Sequence, residues 1–180
     1  MVDLTILTKP IHAFQTWMAF VLAFFMAFIV GFALWLEHSK GYMPCKLCLE
    51  ERDPYYIGIA LALFIGFLAH KRVSGFTVRC MFLFLSVLMF YSFGLALYHT
   101  GIEFKIWKGP SDCSSSVTAI TQNASDLLSS LNSKRPPACD KAAGYIMGLS
   151  FATWNGICSL IVSFIAVITA FKRTSKDVRD

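Results

Sequence analysis

The chain alternates long apolar runs with shorter polar stretches, and the apolar runs set its architecture. Residues 13–36 are 24 consecutive positions without a charge. A bilayer core of about 30 Å needs about 20 helical residues, so this run predicts a membrane-spanning helix. The competing reading is a cleaved signal peptide. The apolar region of such a peptide is about 7–15 residues long and ends at small residues. This run instead ends in Leu34-Trp35-Leu36-Glu37. It is expected to be a retained span, with Trp35 near the water interface.

Three further runs follow. Residues 55–69 are apolar but only 15 long, opened by Pro54, which suits the first turn of a helix because its missing N–H costs little there. This span is expected to tilt little or to borrow length from the Cys48–Arg52 region. Residues 80–98 form a third uncharged run, and the strongly apolar 149–171 a fourth. The pattern predicts an all-α membrane protein: a bundle of four transmembrane helices (13–36, 55–69, 80–98 and 149–171) in one domain covering 1–180. Two polar loops, 37–54 and 99–148, lie on one side. Within the second loop, Val117, Ile120, Ala124, Leu127, Leu128 and Leu131 recur at helical spacing. They predict a short amphipathic helix, lying on the membrane surface or packed within the loop.

Composition agrees with this reading. Hydrophobic residues make up 56% of the chain and charged residues 15%, against about a quarter charged in soluble domains. The net charge of +5 does not point to nucleic acid, because the basic residues flank the apolar runs instead of forming one patch. Their density sets the orientation. The amino-terminal segment, the 70–79 turn and the tail hold eight Lys/Arg in about 30 residues. The two other loops also hold eight, over more than twice the length. Both termini are therefore expected in the cytoplasm and both loops outside, which in a bacterium is the periplasm.

The candidate chemistry lies in those loops. Of six cysteines, Cys45 and Cys48 sit in the first and Cys113 and Cys139 in the second. In an oxidising compartment the natural pairing is Cys45–Cys48 and Cys113–Cys139. A disulfide closed over two residues gains little loop entropy and staples poorly. It suits redox cycling, because its partner thiol is always at hand. A Cys113–Cys139 bridge closes a long loop and reads equally well as a plain staple. A Cys₄ zinc site is disfavoured, because zinc ligands come as two close pairs, and no metal is expected. A thioredoxin fold is excluded, since no βαβ pattern surrounds the motif. Cys80 and Cys158 fall in or beside spans and read as small hydrophobes.

Arg52 follows Cys48 by four positions. On a helix it would stand one turn away, where its charge would stabilise a Cys48 thiolate or negative charge developing on a bound oxidant. The plain alternative is an arginine snorkelling to the interface. His99 and Glu103, just past the third span, could complete a polar rim with Arg52 for a ligand between helices. Asn155, inside the fourth span, is expected to make an interhelical hydrogen bond.

Several stretches together resemble the DsbB family of bacterial inner-membrane disulfide-forming proteins. They are Cys45-Lys-Leu-Cys48-Leu-Glu-Glu51-Arg52, Tyr98-His99-Thr-Gly101-Ile-Glu103, Pro110-Ser-Asp-Cys113, Cys139-Asp140, Gly148-Leu149-Ser150 and Trp154-Asn155. The segment Ser150-Phe151-Ala152-Thr153 departs from the Ser-Met-Pro often found there. The resemblance implies a thiol–disulfide oxidoreductase that reoxidises a periplasmic, thioredoxin-like DsbA-type protein and passes the electrons to a membrane quinone, ubiquinone or menaquinone. It implies Cys45, Cys48, Cys113 and Cys139 as catalytic and Arg52, His99 and Glu103 as cofactor-binding. Cys113 would form the mixed disulfide with the partner, Cys139 would attack Cys45, and Cys48 would leave as a thiolate beside the quinone, stabilised by Arg52. The reading from another class is a non-enzymatic membrane scaffold or transporter subunit with structural disulfides. The uncharged spans argue against an ion or proton pathway.

Overall fold

A computed structural model describes residues 13–42, 44–109, 139–140 and 142–172. In chain order the elements are α1 (Ala13–Lys40), α2 (Lys46–Glu50), α3 (Asp53–His70), α4 (Gly75–Glu103), β1 (Tyr145–Ile146), β2 (Leu149–Ser150) and α5 (Phe151–Phe171). The segment expected to form the amphipathic loop helix and Cys113 lie outside the described residues.

Four helices are long and apolar enough to cross a membrane, and the expected four-span helical bundle is what the chain forms. The short second run does borrow length. Backbone bonds from Glu51 to Leu47 and from Tyr55 to Arg52 join α2 to α3, and Pro54 sits in the first turn of α3. The combined stretch, Lys46–His70, has 25 residues. At 1.5 Å per residue that is about 37 Å, enough for the bilayer core that residues 55–69 alone would barely cross. The protein is a multi-pass membrane protein. Large apolar side chains such as Trp17, Phe24, Phe28, Phe84, Phe90 and Phe164 are exposed on its flanks, as lipid-facing positions require.

Apolar lipid offers no hydrophobic drive to pair helices, so close packing and small residues hold such bundles. Here α1 packs on α3, α3 on α4 and α4 on α5. Met26, Ala62, Ile65, Leu85 and Met89 fill the middle. Gly58 lets α3 approach closely: a Cβ there would stand 2.9 Å from Met26 Sδ. Ser163 Oγ donates to the Ser86 carbonyl at 2.9 Å and ties α5 to α4. At the far end, Gln15 Nε2 donates to the Thr169 carbonyl at 3.1 Å.

One element differs from the all-helical expectation. Tyr145–Ile146 pairs antiparallel with Leu149–Ser150, turning through Met147 (φ 52°) and Gly148 (φ 83°). Two consecutive left-handed residues make the tight turn whose twist matches paired strands. Ser150 then caps α5, its Oγ accepting from the Thr153 amide at 3.2 Å. Trp154 Nε1 donates to the Ile146 carbonyl at 3.0 Å and pins the hairpin to the helix. The hairpin therefore roofs the end of the bundle where the cysteines gather.

Candidate functional site

The ends of α1, α3, α4 and α5 converge on α2, and α2 is built on its cysteines. Cys45 is the cap residue before α2, and its Sγ accepts from the Cys48 amide at 3.3 Å. This folds the two thiols toward each other, with Sγ atoms 2.9 Å apart. The pair expected as a disulfide stands here as two free thiols. An S–S bond of about 2.05 Å needs the sulfurs to close by less than 1 Å, so the fold holds the reduced pair ready for closure.

The two thiols face different surroundings. Cys45 is 2% exposed and packs with Leu47, Ile102 and Cys139 in one buried cluster. Cys139 is disulfide-bonded. Cys48 lines a cavity of about 420 Å³ instead. This cavity opens between α1 and α5, which touch each other little. Its walls are largely apolar, with Phe25, Phe28, Ile29 and Phe32 from α1 and Phe151 and Trp154 from α5. A few polar groups gather at the cysteine end: Glu37, Glu51, Arg52, Tyr55 and Asn155.

A polar chain backs Cys45. His99 Nδ1 donates to Glu51 Oε1 at 2.8 Å, which leaves Nε2 toward Cys45 Sγ at 3.6 Å. Asn155 Nδ2 donates to the other Glu51 oxygen at 3.0 Å, the interhelical bond expected of that residue. Glu51 is 6% exposed and His99 2%. Within this setting the Cys45 thiol is pulled from 9.0 down to about 4. The hydrogen bond between the Cys45 and Cys48 sulfurs is the largest cause, and burial opposes it. The bond and charge of His99 add to the lowering.

The expected rim of Arg52, His99 and Glu103 is not one surface. Arg52 lines the cavity, while His99 and Glu103 are not among its lining residues. Their place on the last turns of α4 turns them inward, where Glu103 Oε1 lies 3.9 Å from His99 Nε2. Arg52 also does not reach Cys48 through any hydrogen bond or ion pair among the described residues. Its Nη1 donates to Glu37 Oε2 at 2.9 Å, so the first charge after the first apolar run holds it. The basic group beside a sulfur is His99, and the sulfur is that of Cys45. Sequence reasoning gave no role to Glu37 or Glu51. For Glu51 a signal existed: it follows Cys48 by three positions, the spacing of one helical face.

Asn155 is a half-buried partner of the buried Glu51, so Asn155→Leu should cost about 1–3 kcal/mol of stability through the unpaired carboxylate oxygen. The thermal midpoint of the detergent-solubilised protein reads this. An unchanged midpoint would mean that Glu51 finds another donor.

The family model described as Disulfide bond formation protein DsbB matches residues 15–169. Among curated relatives, a Disulfide bond formation protein B from Aromatoleum aromaticum is 25% identical over 78% of this chain and 82% of its own length. An Acinetobacter baumannii protein of the same description is 35% identical over 43% of this chain and 46% of its own. An uncharacterized protein of Rickettsia prowazekii is 29% identical over 78% of this chain and 79% of its own. One further relative, from Cupriavidus pinatubonensis, is 43% identical, and the chain spans about a third of its length. No solved structure matches. With a family match over most of its length and a close thiol pair at a membrane surface, this chain belongs to the DsbB family of disulfide bond formation proteins.

Proposed function

We propose that this protein is a quinone-linked thiol oxidase of the bacterial inner membrane, with both termini cytoplasmic and both cysteine loops periplasmic. It reoxidises a DsbA-type dithiol protein. The carrying observation is that one thiol pair has two faces: Cys45 is buried with Cys139, and Cys48 lines an apolar cavity.

The exchange steps are those that membership of the DsbB family implies, and that division supports them. A reduced partner attacks the Cys113–Cys139 disulfide at Cys113, and the Cys139 thiolate is released. Cys139 attacks Cys45 of a Cys45–Cys48 disulfide, a new Cys45–Cys139 bond forms, and Cys48 leaves as a thiolate. The second partner thiol resolves the mixed disulfide at Cys113, so the partner leaves oxidised. The freed Cys113 thiolate attacks Cys139 and restores the loop bridge. Cys45 and Cys48 are left as the dithiol, two electrons and two protons richer. Each exchange step is thiolate attack on a disulfide. The Cys45 thiolate is a good leaving group because Cys48 and His99 stabilise it. With Nδ1 held by Glu51, His99 Nε2 can take or return a proton at Cys45 Sγ.

The cavity fits a quinone. Its volume lies within the range of small-molecule sites, about 300–1,000 Å³, and it is mostly apolar with few polar groups at one end. Phe28, Phe32 and Phe151 would hold the ring, and Arg52 and Asn155 would address its oxygens. A bound quinone supplies the two-electron acceptor. Arg52 donates to this ligand in the proposal, and Glu37 fixes the guanidinium for it.

The quinone dependence of turnover tests this assignment. Arg52→Ala should raise the apparent KM for quinone about 10-fold or more, the scale of a lost charged hydrogen bond, and leave thiol exchange with the partner intact. An unchanged quinone dependence would return Arg52 to a snorkelling role.

A further inference from the structure

We propose that Cys45, Cys48 and His99 form a capture site for a soft closed-shell metal ion, of the zinc or cadmium class, which locks the pair in its reduced form. The inference concerns regulation of the same site and rests on the thiol–disulfide reading of that pair.

Cys45 Sγ, Cys48 Sγ and His99 Nε2 all lie within 4.8 Å of one another, the one such trio among the described residues. Tetrahedral zinc takes thiolate sulfur at about 2.3 Å and imidazole nitrogen at about 2.0–2.1 Å. On one such ion a sulfur and a nitrogen stand about 3.6 Å apart, and two sulfurs about 3.8 Å. The Cys45 Sγ–His99 Nε2 separation is already 3.6 Å. The sulfurs, at 2.9 Å, must open by about 0.9 Å, within reach of a small turn of the partly exposed Cys48 side chain. Glu103 Oε1, 3.9 Å from the same Nε2, borders the fourth position.

The surroundings are those of a metal-binding histidine. Such a histidine gives its other N–H to a carboxylate, which fixes the ring and raises its basicity. Here Glu51 takes Nδ1–H at 2.8 Å and is itself held by Asn155. The same bond serves thiolate exchange, so the mechanism alone accounts for it. The added element is that both sulfurs and the free imidazole nitrogen converge on one point.

Redox state gates this site. Binding replaces the thiol protons with the ion, and no electron moves. A Cys45–Cys48 disulfide leaves no thiolate to ligate, so the oxidised chain offers only His99. The bound ion commits both sulfurs, so the dithiol cannot close to the disulfide until a chelator removes the metal.

Cadmium titration of the full chain carrying Cys113→Ser and Cys139→Ser tests this, read by thiolate-to-cadmium ultraviolet absorption. The reduced chain should bind one ion and the oxidised chain none. Cys48→Ser should abolish the signal, and His99→Ala should weaken binding by at least about 10-fold. Equal binding by the oxidised chain, or binding unchanged by Cys48→Ser, would overturn the site. Thiol oxidation by quinone is followed in a metal-free aliquot of the same preparation. Oxidation without metal binding removes the metal site and leaves the relay standing. Stoichiometric binding without oxidation retains the site and removes the quinone reading.

Discussion

Cys48→Ser is expected to lower quinone reduction by at least about 10³-fold, the scale of losing a nucleophile that works as part of a unit. The reason lies in the division of the pair. Cys48 is the thiol that lines the cavity, so without it the electrons reaching Cys45 have no route to an acceptor there. The substitution replaces one small side chain by another at a site already partly open, so insertion and the Cys139 bridge should persist. Loss of quinone absorbance, measured beside a thiol count on the same variant, reads both. Normal turnover by this variant would mean that Cys48 is not the electron-releasing thiol.

The second large effect concerns the ionisation of Cys45. With its thiol lowered from 9.0 to about 4, Cys45 in the reduced protein should be a thiolate at neutral pH. The ultraviolet absorption of the Cys45 thiolate should persist as pH falls to 5 and decline only near 4. The sign for stability follows from proton counts. Between pH 4 and 9 the unfolded chain holds a proton on Cys45 that the folded chain lacks, so the Cys45 contribution to the stability of the reduced protein rises with pH through that window. The contribution is complete above 9 and lost as pH falls through 4. A disulfide does not titrate, so the oxidised protein should lack this dependence. His99→Ala removes the basic partner 3.6 Å away and should raise the Cys45 value by about one to three pH units. It should also slow exchange with the partner at neutral pH. A Cys45 thiolate absorption profile centred near 9 in the unaltered protein would contradict the assignment.

Much of the architecture was legible in the chain because its signals are one-dimensional. A run such as 13–36 needs only length and the absence of charge to declare a span. The early Pro54 and the short run after it left open either little tilt or borrowed length, and α2 extends the stretch to Lys46–His70. The hairpin at 145–150 escaped because its residues are uncharged and merge with the apolar run of α5. Only Gly148 marks the turn, and its partner in left-handed backbone is Met147, a residue without turn preference. The site was legible in membership but not in facing. Cys45, Cys48, Arg52 and His99 all gather at one end of the bundle. Which side each one turns to depends on how α4 is rotated against α2, and sequence spacing does not carry that. So Arg52, four positions after Cys48, is held by Glu37 from another helix, and His99 stands with Nε2 3.6 Å from Cys45 Sγ and not on the cavity wall. Glu51 meets His99 across 48 positions of chain and Asn155 across 104, links that no local pattern announces.

The most direct test of the central claim is turnover of the purified, detergent-solubilised protein with quinone and a reduced DsbA-type donor. Catalytic loss of quinone absorbance that disappears in Cys113→Ser is the expected result. No turnover, with the Cys139 bridge still closed beside excess donor, would contradict it and leave a membrane protein whose disulfide is structural.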